Sequence, residues 1–431
     1  MNGDVFNLAV NALEYFDTVV CGGGFAGAAA AWASASNGAK TLLIESGGEL
    51  SGDLSKSLVP QILDPDGKGG LVKETYDYLN SGAHTSARRG ARYDARNQKI
   101  PGTVVDLEYT KYYLEKRCRE AGVVILYHSI VAGCECEDHK ITSIAVATEC
   151  GSYRIKAHTY IDATGNGLLA AMAGCRYEIG HPETGQPQPA AIMMFVTGLP
   201  EGITCDDEVA KERIKAELVK EGVITSTEGV ALIETTIDGI WLCAFGRAFD
   251  LMMNDPIAMS EAICKGRAEC VEGVDCIRQI PGYENINIVQ VSKHIGIREG
   301  KRIFGRYRLT FDDVTTGAKF EDGICLVDFC IDVHKISADD ERDHQQGKRV
   351  VSYHIPYRSL LPLDCDNLLL AGRCISGDFY AHASYRVIGN VTPTGEAAGF
   401  AAAICAKQNI LPYQVDGKEV SGFMRSRGYS L

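Results

Sequence analysis

No stretch of the 431-residue chain is long and apolar enough to span a bilayer as a helix, so no membrane span is expected. Cationic excess is missing as well. Lys and Arg number 43 against 56 Asp and Glu, and the formal charge of −13 argues against nonspecific binding to nucleic acid or acidic membranes. The opening residues, MNGDVFNLAVNALEYFD, lack the basic region, apolar core and small-residue cleavage site of a secretory signal, which makes a cytoplasmic location the expectation. Sixteen cysteines are present, yet no two are spaced C-x-x-C. That absence argues against thioredoxin-like chemistry, iron–sulfur loops and the usual zinc loops, and no metal is expected. Most of the cysteines read as small apolar core residues, with Cys134 and Cys136 the closest pair. No internal repeat or low-complexity tail is evident.

Glycine, by contrast, is crowded into VVCGGGFAGAAAAWASASNGAKTLLIE, residues 19–45. A short apolar run, Thr18–Cys21, leads into the glycines; an alanine-rich helix over 25–37 follows, and a second apolar run covers Thr41–Ile44. In such a strand–turn–helix–strand unit the first glycine permits the turn, the second lets backbone approach a pyrophosphate, and the third brings helix close to strand. Gly22, Gly24 and Gly27 fit these roles. The free N–H groups near Phe25 and Ala26 would favour negative charge at the helix start. Glu45, at the end of the second strand, is placed to accept hydrogen bonds from an adenosine ribose and would repel a 2′-phosphate. The pattern therefore predicts a dinucleotide and disfavours NADP; it leaves FAD and NAD open.

Downstream, SGGELSGDLSK reads as loop with at most a short helix, and Arg88, Arg89, Arg92 and Arg96 form the densest positive cluster, suited to an anion or to a solvated surface. A helix is expected over 107–121, a strand over 123–127, then an antiparallel meander. The apolar strand Thr159–Ala163 runs into TGNG and a second small-residue helix, a turn able to meet the same cofactor. No second G-x-G-x-x-G follows. From about residue 179 the pattern changes to strands interleaved with amphipathic helices, read as an inserted α+β unit.

These segments together resemble the family of FAD-dependent oxidoreductases with a glutathione-reductase-type FAD-binding domain. The resemblance runs through VVCGGGFAGAAAA, LLIES, YIDATGNGLLAAMAG, HIGIREGKRIFGRYRLT, IPYRSLLP, NLLLAGRCIS and RVIGNVTPTGEAAGFAAA. It implies an α/β, Rossmann-like FAD-binding domain over residues 1–178 and 354–431, interrupted by a substrate or cap domain over 179–353. It also implies noncovalent FAD, with Ala163, Thr164 and Gly165 beside its adenosine half, Gly389, Asn390 and a helix starting at Gly395 against the flavin, and Asp378 near the ribityl hydroxyls. The sequence departs from the family where Leu168 replaces a common acidic residue.

For a flavin enzyme the chain must orient substrate and move a proton. By the resemblance, the segment GDFYAHASYRVIGN lies near the ring, and His382 is the expected general base. Tyr385 would orient substrate, and Arg386 would bind a carboxylate or an anionic reduced flavin. In HIGIREGKRIFG, which also holds His294 and Glu299, a helix would set Arg298 and Arg302 on one face, suited to an anion or to bracketing a structural carboxylate. The expected reaction is hydride transfer between a small organic substrate, a secondary alcohol being one candidate, and flavin N5, with an electron donor or acceptor that the sequence does not name. Carbon–carbon dehydrogenation or alkene reduction of a carboxylate substrate, and service as an electron-transfer subunit, are the alternatives.

Overall fold

A computed structural model describes residues 10–93, 99–225, 229–337, 340 and 350–431. The strand Phe16–Cys21 is buried along almost its whole length, as its apolar run requires when both faces of a parallel sheet are covered. It lies at the centre of five parallel strands in the order Leu368–Leu370, Ala157–Asp162, Phe16–Cys21, Thr41–Ile44 and Val124–Leu126. The chain reaches the last of these through the helix Leu107–Glu120, whose N-cap Asp106 accepts from Glu108 N and Tyr109 N.

One face of the sheet is covered by the helix Phe25–Ser36 and by the long helix Ile388–Gln408. Their alanines and glycines let the two backbones nearly touch. A side chain at Gly395 or Gly399 would run into the carbonyls of Ala26 or Ala30. A second sheet carries the expected meander, Ser129–Glu137, Lys140–Thr148 and Gly151–Ile155, with Val10–Ala12 added in parallel at its far edge.

A separate hydrophobic core spans residues 190 to 295. It is built from the four-stranded sheet Ala231–Glu234, Trp241–Ala244, Met194–Thr197 and Asn287–Val291, covered by the helices Glu208–Lys220 and Pro256–Ile277. Asp255 caps the longer helix and Pro256 opens it, a position where the missing N–H costs nothing. From Ile303 onward the apolar side chains pack into the first core, so by packing the second unit closes well before position 353. The reason is local: Ile324, Cys325 and Val327, in the strand Gly323–Val327, pair with Tyr353–Pro356 and face that first core. Among the described residues no helix is long and apolar enough to cross a membrane.

Candidate functional site

A cavity of about 850 Å³ runs from the ends of the central strands to the second core, within the range of sites that enclose large ligands. At its first end the glycine turn forms the wall. Gly22 has φ +101°, and a Cβ there would strike the Ala163 carbonyl; one at Gly27 would strike the carbonyl of Gly22. These two glycines hold strand, helix and neighbouring strand together. Gly24 differs, since a Cβ there meets only Gly52 Cα at 3.7 Å, and its space opens on the cavity. The helix that follows has no side-chain cap, so its first N–H groups, at Phe25 and Ala26, are left for whatever fills the cavity.

Glu45 is 3% exposed and accepts from Gly23 N at 2.7 Å, Gly47 N at 2.5 Å and Ser46 Oγ at 3.0 Å. Lys56 forms an ion pair with Oε1, the oxygen that also accepts from Gly47 and Ser46. Burial pushes the Glu45 carboxyl up, but Lys56 and the two amides outweigh it and hold the group below its ordinary range. Across the cavity, buried Asp162 ties the TGNG turn by accepting from Thr164 N at 3.0 Å, Thr164 Oγ1 at 2.7 Å and Ala170 N at 2.8 Å. Arg373 reaches over Gly165 between Asp53, at 2.5 Å, and Asn166 Oδ1, at 3.1 Å, while its Nε is buried without a partner. Lys56 and Arg373 were not singled out in the sequence; Arg373 directly follows the LLLAG strand end, which was the available signal.

The second end of the cavity is cationic. Arg298 donates to the Pro189 carbonyl at 2.5 Å, and Arg386 donates through Nη2 to the Asp332 carbonyl at 2.9 Å and to its Oδ2 at 3.0 Å. His334 Nε2 lies 3.5 Å from Asp332 Oδ1. All four side chains line the cavity, with Met193, Ile297 and Ile388 as apolar wall. Burial, together with Arg247 and Arg386, lowers Arg298 to about 9. Burial and Arg298 lower His334 to about 4, while burial of Asp332 is outweighed by His334, Arg386 and Arg298, which keep it ionised. At neutral pH the site therefore holds a neutral imidazole, one carboxylate and two guanidinium groups.

A family profile described as FAD dependent oxidoreductase matches residues 17–424. The chain belongs to that family. It is an FAD-dependent oxidoreductase enzyme, and FAD is its cofactor. Protein FixC from Rhizobium meliloti (strain 1021) is 30% identical over 177 residues, 38% of this chain and 40% of FixC. FixC from Bradyrhizobium diazoefficiens is 28% identical over the same shares. The match thus spans less than half the length of these curated relatives. Among solved structures, the myxobacterial chondrochloren halogenase CndH is similar at a TM-score of 0.52, with 14% identity, over 96% of this chain and 79% of that one. OxyS anhydrotetracycline hydroxylase from Streptomyces rimosus gives 0.51, with 11% identity, over 96% and 65%. At such identities these likenesses concern the fold alone.

The residues of this flavoenzyme fit its cofactor. Gly22, Gly24, Phe25, Ala26, Glu45, Ala163, Thr164 and Gly165 all line the cavity; Gly27 supports it from behind. Several expectations are corrected. Asp378 does not line the cavity, because its carboxylate is spent capping the helix Phe379–Tyr385, accepting from Ala381 N at 2.8 Å and Phe311 N at 2.6 Å. The long helix starts at Ile388 rather than Gly395, and Val387, Ile388 and Val391 face the cavity. Gly389 packs on the carbonyls of Leu63 and Asp64, buried Asn390 accepts from Cys325 Sγ at 3.8 Å, and Gly395 packs on Ala26; none of the three lines the cavity.

His382 is fully buried and off the cavity wall. Neither ring nitrogen makes a well-formed hydrogen bond, the Arg373 carbonyl exerting only a weak favourable influence. Burial and three nearby arginines hold its pKa well below the ordinary value. Tyr385 is also buried off the wall, its hydroxyl donating to the Ile375 carbonyl at 2.9 Å. Of the three expected catalytic side chains only Arg386 reaches the cavity. Arg298 and Arg302 do not share a helix face, since the segment is not helical; Arg302 turns away to pair with buried Glu299, which also accepts from Gly180 N and Gln188 N. His294 lines the cavity beside Lys56. Arg96 lies outside the described residues, as do the side chains of Arg88, Arg89 and Arg92.

Proposed function

We propose that this flavoenzyme transfers a hydride equivalent between FAD and a small organic substrate that carries a carboxylate, with oxidation of an alcohol carbon to a ketone as the leading reaction. The observation that carries the reading is the presence of Arg298 and Arg386 on the same cavity wall as neutral His334. FAD, when bound, supplies the hydride acceptor. The helix start at Phe25, with Glu45, Thr164 and Arg373, would hold it. Arg298 and Arg386 bind and orient the substrate anion through charge-assisted hydrogen bonds, and the apolar wall at Met193, Ile297 and Ile388 excludes water. A hydrogen on His334 Nε2, directed at Asp332, leaves Nδ1 basic and able to take the hydroxyl proton.

The reading is tested by titrating the oxidised holoenzyme with small hydroxycarboxylates and with their methyl esters while following the flavin band. Carboxylates that perturb or bleach the band where their esters do not would support it. Equal responses from acid and ester would count against an anion site.

A further inference from the structure

We propose that Cys134 and Cys136 form a dithiol site, apart from the flavin cavity, that closes to an intrachain disulfide on meeting a low-molecular-weight disulfide. The two residues are alternate positions of the strand Ser129–Glu137, so their side chains share one face. Their sulfurs are 3.8 Å apart. Glu135 between them is occupied elsewhere, accepting from Arg154 at 3.0 Å and Ser143 at 2.7 Å.

Alternate residues of a regular strand are about 6.6 Å apart, near the upper limit of the Cα separation that a disulfide spans. Here the pairing slips. Cys134 faces Ile144 and Glu135 faces Ser143, but Cys136 faces Ile141, which leaves Thr142 of the neighbouring strand unpaired and disrupts the ladder beside the pair. The strand is also the edge of its sheet, with neighbours on one side only. Ten of the sixteen cysteines are buried; Cys136 is exposed and Cys134 half-buried.

The exposure sets the order of events. Cys136 meets the oxidant first. Burial and the adjoining Cys136 push Cys134 up to about 12, so it keeps its proton until its neighbour has reacted. With oxidised glutathione, the Cys136 thiolate attacks one sulfur, forming a mixed disulfide and releasing one glutathione thiolate. Cys134, losing its proton, then attacks Cys136 Sγ and expels the second glutathione. The two protein thiols give up two electrons and two protons, and one glutathione disulfide becomes two thiols. Closure draws Cys136 Sγ away from the Ala173 carbonyl, now 4.0 Å away, at the end of the helix Leu168–Met172 that follows the TGNG turn of the cavity.

The test treats the full-length holoenzyme with oxidised glutathione, alkylates the remaining thiols after denaturation, and maps peptides by mass. The expected result is a peptide containing both residues that has lost two hydrogens, carries no alkyl group, and regains both thiols with dithiothreitol. Cys134→Ser should instead leave Cys136 as a persistent glutathione adduct, and Cys136→Ser should leave Cys134 alkylated. FAD content of each variant checks that it is folded. Wild-type protein in which both residues are alkylated after the treatment, or in which Cys136 retains glutathione beside a free Cys134, would overturn the proposal.

Discussion

One nitrogen of Arg386, Nη2, donates to both the carbonyl and the carboxylate of Asp332, at 2.9 and 3.0 Å. The pairing fixes the guanidinium at the cavity wall and gives Asp332 the charge that keeps it ionised beside His334. Arg298, which donates to a carbonyl rather than a carboxylate, keeps its charge available. Replacing Arg298 with Gln should raise KM for a carboxylate substrate about 10- to 100-fold, the loss of one charge-assisted hydrogen bond, with FAD content unchanged. Steady-state kinetics on the acid and its ester separate this from a general loss of activity.

Acid should weaken the folded enzyme through His334. Its pKa falls from 6.5 to about 4 on folding, so between these values the unfolded chain binds a proton that the native chain does not. Stability is therefore complete above about pH 6.5 and falls as pH drops toward 4. Asp332, also held below its ordinary 3.8, adds its own loss at lower pH. Thermal melts of wild type and His334→Asn across this range should show a steeper acid decline in the wild type.

Gly24 and Gly27 separate folding from cofactor binding. Gly27→Ala forces a methyl into the Gly22 carbonyl and should cost about 3 kcal/mol, an overpacking penalty, or prevent folding. Gly24→Ala places its methyl 3.7 Å from Gly52 Cα, an ordinary contact, but on the cofactor side of the turn. It should fold and release FAD. Circular dichroism with flavin content on each variant reads the difference.

Glu45 and Lys56 form a buried pair, with side-chain exposures of 4% and 11%. Glu45→Gln leaves Lys56 unpaired and should lower stability by about 3 kcal/mol. Adding Lys56→Met should restore most of that loss without restoring FAD affinity, because Glu45 rather than the pair is assigned to the ribose. Denaturant melts and FAD titration measure the two effects independently.

The glycine-turn end of the cavity was legible in the sequence because its parts are local. Three glycines, one helix start and one strand-end acid stand in a single stretch, and the TGNG turn repeats the arrangement once. The substrate half was not, because it is assembled from distant segments. Arg298 comes from an irregular stretch, Asp332 and His334 from an extended one after the strand Gly323–Val327, and Arg386 from the end of a short helix. A trace was present in FCIDVHKI, where Asp332 and His334 stand two apart in an apolar run and thus share a face. His382 misled for the opposite reason. It lies four residues before Arg386, on a helix whose buried side faces the protein, and sequence proximity to the cavity did not give it access. His382→Leu should leave the rate of flavin reduction unchanged.

Anaerobic rapid mixing of the oxidised holoenzyme with hydroxycarboxylates, followed at the flavin band, probes Arg298, Arg386 and His334 as the proposed site of substrate oxidation. In the wild type a carboxylate should bleach the band and its ester should not. The same reaction should slow sharply in His334→Asn and require more substrate in Arg298→Gln, both with full FAD content. Bleaching that is equally fast in both variants, or equally fast with the ester, would contradict that assignment.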